Sequence, residues 1–250
     1  ESILSKKWKA ALNQSGFSFL KTYFCRMDTI YSFDQLYSFC TSIFTTIGCS
    51  KADAAIAAKA LIAADLRGID SHGVARLSGY VRLWEAKRVN ASPQIKIVHE
   101  TPSTAVVDGD AGLGLVVAPY AMQVAIDKAA NVGTGWVSVK NSNHFGIAGY
   151  HAMMALEHDM IGMAMTNASA LVAPTFSIER MLGTNPIAVA IPAGTEPAFV
   201  ADFATTTAAN GKLEILQRKN ADTPLGWVQT KDGSSSTNAN ELKTGGSLLP

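Results

Sequence analysis

Twelve consecutive residues, Asp65-Leu66-Arg67-Gly68-Ile69-Asp70-Ser71-His72-Gly73-Val74-Ala75-Arg76, bring together two glycines, two aspartates, a serine, a histidine and two arginines. An imidazole moves a proton near neutral pH, and a guanidinium grips a carboxylate through two parallel hydrogen bonds. Those are the two tasks that a small hydroxy or keto acid sets. If Ser71 caps a helix running from Val74 to Lys87, His72 and Arg76 fall one turn apart on one face, with Tyr80 a turn further on. The same residues admit a plainer reading, a helix cap beside a surface histidine and an arginine that solvates the helix. A serine hydrolase built on Ser71 and His72 is disfavoured, because neighbours on a helix point about 100° apart and no GxSxG elbow is present.

The elements that must position these groups can be read from caps and periodicity. Ser32-Phe33-Asp34-Gln35 has the form of a capping box opening a helix that Gly48 closes. Ser50-Lys51-Ala52-Asp53 opens a second, Ala-rich helix to Leu66, ended by Gly68 as a left-handed cap. After residue 90 the period changes. The β-branched runs Ile95–Val98 and Thr104–Val107 read as strands. Asp108–Gly114 reads as a turn-rich loop, and Val116–Ala130 as a helix. Gly112-Leu113-Gly114 therefore sits between a strand and a helix, where a dinucleotide fingerprint would lie. It fails that test: the third glycine is Val117, and no acid ends the next strand, Gly135 to Lys140.

Trp136–Val139 is a strand that runs into the polar loop Lys140-Asn141-Ser142-Asn143-His144-Phe145-Gly146. A helix from Ile147 to Glu157 and a strand from Met160 to Thr166 follow. His144, His151 and His158 recur every seven residues, a spacing too long for one ion, and HExxH is absent, so no metal site is expected. Gly183-Thr184-Asn185-Pro186 turns into a strand at Ile187–Pro192. A further strand, Ala198–Asp202, ends in an acid and passes through Phe203, Ala204 and Thr205–Thr207 into a helix reaching about Arg218. The hydroxyls at that junction read two ways, as a cap or as contacts to a cofactor. Beyond Gly226 the chain turns polar, with Lys231-Asp232-Gly233 as a hairpin turn, and ends without a closing helix or strand.

Composition removes several function classes. Hydrophobic residues are 48% and charged ones 16% of the 250 residues, as in an ordinary soluble protein. Lys plus Arg (21) nearly balances Asp plus Glu (20), which gives no electrostatic case for nucleic acid. No apolar run reaches the roughly 18 residues of a membrane span. Cys25, Cys40 and Cys49 form no CxxC pair, so a reducing compartment is expected, the cytoplasm in the first instance. Residues 1–26 read as an extension outside the fold. Their Lys6, Lys7, Lys9, Lys21 and Arg26 resemble a transit peptide, leaving a mitochondrial address open beside a non-native origin. The expected division is 1–26 as extension, 27–90 as a helical region and 91–250 as a sheet domain.

Asp65–Arg76 (DLRGIDSHGVAR), Val139–Gly146 (VKNSNHFG), Gly183–Pro186 (GTNP) and Val200–Thr206 (VADFATT) together resemble the type 2 malate/L-lactate dehydrogenase family. That family includes ureidoglycolate dehydrogenase, diketogulonate reductase and sulfolactate dehydrogenase. The resemblance implies an α/β (α+β) protein with a non-Rossmann NAD(P)-binding fold, a largely antiparallel central sheet and an N-terminal helical region. It implies hydride transfer between the nicotinamide of NAD or NADP and C2 of a small 2-hydroxy or 2-keto acid, in a homodimer with shared active sites. By the same resemblance His144 is the acid/base and His72 a second histidine at the substrate oxygen, with the choice of proton donor between them open. Arg76 becomes the carboxylate clamp, Ser71 a neighbouring contact, and Asn185 a residue shaping the site. Asp202, Phe203 and Ala204 hold the dinucleotide. Tyr80 is added to the substrate-binding set from helical spacing alone. Family members continue beyond Pro250, so the chain reads as truncated, and a catalytically incomplete fragment that only binds is the alternative.

Overall fold

Helix α1 (Phe33–Thr46) begins where the first capping box places it, and Gly48 leaves it at φ +105°. These elements belong to a computed structural model that describes residues 30–250. The extension at 1–26 and Cys25 lie outside the described residues. Helix α2 (Lys51–Leu66) is capped by Ser50, whose Oγ accepts the Asp53 N–H at 3.1 Å and donates to the Asp53 carboxylate at 2.7 Å. Its alanines are buried nearly all round, as expected of a helix packed on several sides. Gly68, at φ +71°, turns the chain away from its end. Around it Phe44, Leu61, Ile62, Leu77 and Leu115 form the main core. Cys40 and Cys49 are free thiols in this core, and burial pushes both pKa values up to about 11. They serve as small apolar side chains there.

The second predicted helix starts later than expected. Residues 74–76 form one turn of 3-10 helix, and helix α3 (Leu77–Glu85) follows. Ser71 and His72 lie before both, in a turn, so Ser71 caps nothing. The Val74 N–H is taken instead by Asp65 Oδ2 at 2.8 Å, from the end of α2. The side chain of Asp65 fills the space beside Gly73 so closely that a Cβ there would overlap its carboxylate. One acid and one glycine thus close the loop that carries His72.

Among the described residues antiparallel pairing dominates, but the strands make three three-stranded sheets rather than one. In the first, β1 (Lys96–Glu100) pairs antiparallel with β2 (Thr104–Gly112), which pairs parallel with β3 (Trp136–Ser142). Helix α4 (Gly114–Val132) is the crossover, packing Val117 and Ala121 on Val107. The stretch read as a loop after Asp108 stays in the strand, with a register shift across Asp110 and Ala111, both at positive φ. The second sheet is antiparallel: β4 (Gly162–Met165), β5 (Ile187–Ile191) and β6 (Phe199–Phe203). Helix α5 (Ala148–Met153), shorter than expected and continued as a 3-10 turn to His158, covers it. Small residues, Ala152 against Ala164, Ala188 and Ala190, allow that close approach. Helix α6 (Asn210–Lys219) leads to a small third sheet of β7 (Val228–Gln229), β8 (Ser235–Ser236) and β9 (Ser247–Leu248). The chain therefore does end on a strand: Leu248 pairs with Val228, both fully buried. Among the described residues no helix is long and apolar enough to cross a membrane.

Candidate active site

Two loops far apart in sequence meet at a pair of histidines. The rings of His72 and His144 stack with centroids 5.7 Å apart and planes 25° from parallel. Each Nδ1 meets a hydroxyl: Ser71 Oγ lies 2.8 Å from His72 Nδ1, and Tyr80 Oη lies 2.6 Å from His144 Nδ1. The expectation of poor Ser71–His72 contact is overturned, because these residues occupy a turn and not a helix. Ser71 is nonetheless buried beneath α6, where Gly211 lies so close that a Cβ would sit 2.9 Å from the Ser71 Cβ.

The loop bearing His144 is held from several sides. Asn143 donates to the carbonyls of Ala111 and Gly112 at 2.8 and 3.0 Å, and Asn141 donates to the Asp108 carboxylate at 3.0 Å. Gly114 lies against the loop backbone, and a Cβ there would overlap the carbonyl oxygens of Asn143 and His144. That explains the glycines that only imitate a dinucleotide fingerprint: Gly114 admits the His144 loop, and Gly112 admits the Pro93 ring and the Gly109 carbonyl. On the far side His151, fully buried in α5, has its Nε2 2.8 Å from the Phe145 carbonyl.

His72 is half-buried, and His144 is exposed as a residue while its Nδ1 is held by Tyr80 and Gly146. Enclosure pushes both pKa values down to about 4, helped at His72 by the charge of Arg76 and at His144 by His72 and Arg76. Both imidazoles are therefore neutral near pH 7. Tyr80 is 2% exposed, with Phe44 edge-on to its ring at 6.3 Å, and burial raises its pKa further above the phenol range.

Arg76 is already engaged. Its Nε donates to the Ser71 carbonyl at 2.8 Å, and Nη1 donates to Glu214 Oε2 at 2.9 Å. Glu214 is held in turn by Asn210, which donates to Oε1 at 2.9 Å. A ligand carboxylate would therefore have to displace the Ser71 carbonyl along the Nε edge or Glu214 at Nη1, and Nη2 packs against Gly211. Glu214 was missed in the sequence because it belongs to no motif. Its only signal was an acid one turn beyond Asn210 on a helix that follows the VADFATT stretch.

The remaining candidates form a second group. Asp202 and Phe203 lie exposed near the end of β6, with half-buried Ala204 after them. Asp202 Oδ2 accepts the Gly149 N–H at 2.8 Å, which ties β6 to the helix that follows the His144 loop. Asn185, at φ +32°, accepts the Ala168 N–H at 3.1 Å and has no contact with the histidines. The threonine hydroxyls do not cap α6. Thr205, Thr206 and Thr207 donate to the carbonyls of Thr184, Ala208 and Pro250. Among the described residues no group of three or more His, Cys, Asp or Glu could hold a metal ion.

A paired-histidine site on a helical layer and small, mostly antiparallel sheets, with no glycine phosphate loop among the described residues, sets this chain apart from the doubly wound dehydrogenases. The profile of the malate/L-lactate dehydrogenase family matches residues 31–250, and the chain belongs to that family. It is 49% identical over 217 residues to a malate dehydrogenase of Pyrococcus horikoshii, covering 87% of this chain and 60% of that protein. It is 44% identical to the L-sulfolactate dehydrogenase of Methanocaldococcus jannaschii, covering 83% and 60%. The crystal structure of malate dehydrogenase from Entamoeba histolytica superposes with a TM-score of 0.85 at 35% identity, over 89% of this chain and 63% of that one. The chain thus spans about six tenths of the length of these relatives.

Proposed function

We propose that this protein is an NAD(P)-dependent 2-hydroxyacid dehydrogenase, malate- or lactate-like, that moves a hydride between the nicotinamide and C2 of a small 2-hydroxy or 2-keto acid. The observation that carries the reading is the convergence of two neutral imidazoles and one guanidinium from separate segments. His144 is the acid/base, meeting the substrate oxygen at Nε2, since Nδ1 is engaged by Tyr80 and Gly146. His72 contacts the same oxygen from the stacked ring. Arg76 takes the substrate carboxylate in exchange for Glu214 at Nη1, while the Ser71 carbonyl holds Nε in place. Ser71 fixes His72, and Asn185 shapes the adjoining turn.

The residues at the end of β6 fit a dinucleotide in two respects. Phe203 is 53% exposed and offers an aromatic face, and Asp202 has Oδ1 left for a ribose hydroxyl after Oδ2 is spent on Gly149. Bound there beside Ala204, NAD(P) would supply or take the hydride at C2. A homodimer completing each site from both subunits is part of the same reading, and sedimentation of the chain measures it. The free thiols of Cys40 and Cys49 support a reducing compartment, the cytoplasm. The test of the activity is a panel of 2-keto acids, including oxaloacetate, pyruvate and sulfopyruvate, assayed with NADH and NADPH. Oxidation of either cofactor with one acid supports the reading, and none with any acid rejects it.

A further inference from the structure

The two histidines differ in how their tautomers are set. At His72 the partner is a serine hydroxyl, which can donate or accept. At His144 a backbone donor biases the choice. The Gly146 N–H reaches His144 Nδ1 at 3.3 Å, and an N–H can only donate. The Tyr80 hydroxyl lies 2.6 Å from the same nitrogen. Tyr80 is almost wholly enclosed, so no bulk water competes for its proton. The Gly146 N–H also faces the Tyr80 oxygen. Its contact to Nδ1 favours a bare nitrogen, to which the phenol proton then goes.

We propose that Tyr80 is the positioning residue for His144: its buried hydroxyl donates to Nδ1, so that the neutral ring carries its one proton on Nε2. This rests on the dehydrogenase reading for its catalytic meaning, but not for its chemistry. In place of a direct substrate contact, Tyr80 acts through the ring it orients. A neutral imidazole with Nε2–H offers a donor to a carbonyl oxygen, so the resting site is set to receive the keto acid. To accept the proton of a hydroxy acid at Nε2, the neutral ring must first change tautomer: Nε2 releases its proton to solvent, Nδ1 takes one up, and Tyr80 turns from donor to acceptor.

The test is Tyr80→Phe in the full chain, with Phe44→Leu as a control that disturbs the packing on the Tyr80 ring and keeps the hydroxyl. Imidazole 15N shifts, assigned by single replacement of each histidine, report the tautomer without any substrate. The wild type is expected to show a bare Nδ1 and a protonated Nε2 at His144, and Tyr80→Phe a mixture of tautomers. The charged and titratable groups facing His144 are His72 and Arg76 from the turn before α3 and Tyr80 itself; Glu214 and Lys212 of α6 act on His72. Those other groups stay in place in Tyr80→Phe. Losing a donor to the bare nitrogen destabilises the neutral ring, so the His144 pKa and the acid limb of the rate profile move to higher pH. For keto acid reduction, kcat is expected to fall roughly ten- to hundredfold with KM little changed, the scale of losing a partner that orients a functional imidazole. Phe44→Leu should lower stability and leave tautomer and pH profile unmoved. A protonated Nδ1 in the wild type, or an unchanged tautomer in Tyr80→Phe, overturns the proposal, as does an equal shift in Phe44→Leu. If the tautomer result holds and no keto acid is reduced, the dehydrogenase reading fails while the role of Tyr80 stands.

Discussion

At the histidine pair the key side chains face one another: Ser71 meets His72, Tyr80 meets His144, and Arg76 meets Glu214. Along the end of β6 the arrangement is looser, with Asp202 and Phe203 exposed and one carboxylate oxygen latched to a backbone N–H. The contrast follows from what each region is proposed to do. Proton transfer needs a ring held in one orientation with a shifted pKa, and that requires enclosure and fixed donors. Holding a long, flexible ligand needs an open surface with a few directional groups.

Five measurements would break or sharpen that contrast. His144→Ala should lower turnover by roughly 10²–10⁴-fold while dinucleotide affinity, read by fluorescence titration, stays near the wild-type value. Equal turnover would remove His144 from the chemistry. Arg76→Ala should weaken the acid by roughly 2–5 kcal/mol, seen as a raised KM, because the substrate carboxylate loses its partner. An unchanged KM for every acid tested rejects the clamp.

His151 connects the cluster to acid stability. It is 1% exposed, and burial lowers its pKa from 6.5 to about 4. Between those values the unfolded chain binds a proton that the folded chain does not. Stability is therefore complete above pH 6.5 and falls as the pH drops toward 4, by on the order of 3 kcal/mol from this residue. Denaturant midpoints at about pH 7.5 and about pH 4.5 should differ less in His151→Gln than in the wild type.

Gly114→Ala should cost roughly 1–3 kcal/mol, because the new methyl overlaps the backbone of Asn143 and His144. Turnover should fall with it as the His144 loop is displaced; a variant of normal stability would contradict the close packing. The smallest structural effect is expected at Asp202→Asn. Its amide oxygen can still accept the Gly149 N–H, so stability should stay within about 0.5 kcal/mol. Dinucleotide affinity should drop all the same, and if it does not, Asp202 is a latch alone.

Much of the local structure was legible in short signals. Ser50 with Asp53, and Gly48 and Gly68 at positive φ, bound their helices where the caps predict, since a cap is a contact between residues three or four apart. The misreadings share one cause, a tertiary partner that overrides local preference. Asp108–Gly112 looks like a loop and is a bulged strand because β3 pairs with it. Ser71 looks like a cap and is not, because Asp65 supplies the acceptor from nine residues away. Ser247 and Leu248 are too short to read as a strand, yet β7 recruits them.

Residue type and motif order were enough to place the chain in its family and to propose His72, His144 and Arg76 for the site. An imidazole or guanidinium has the same chemistry wherever it lies, so that much is carried by composition along the chain. Which atom each group presents was decided only on folding. Tyr80 turns to Nδ1 of a ring 64 residues away, Glu214 takes an Nη of Arg76 across 138 residues, and Gly114 makes room for a neighbouring backbone. Hydrogen-bond direction and burial depend on what stands opposite a group in space, and no spacing along the sequence encodes that.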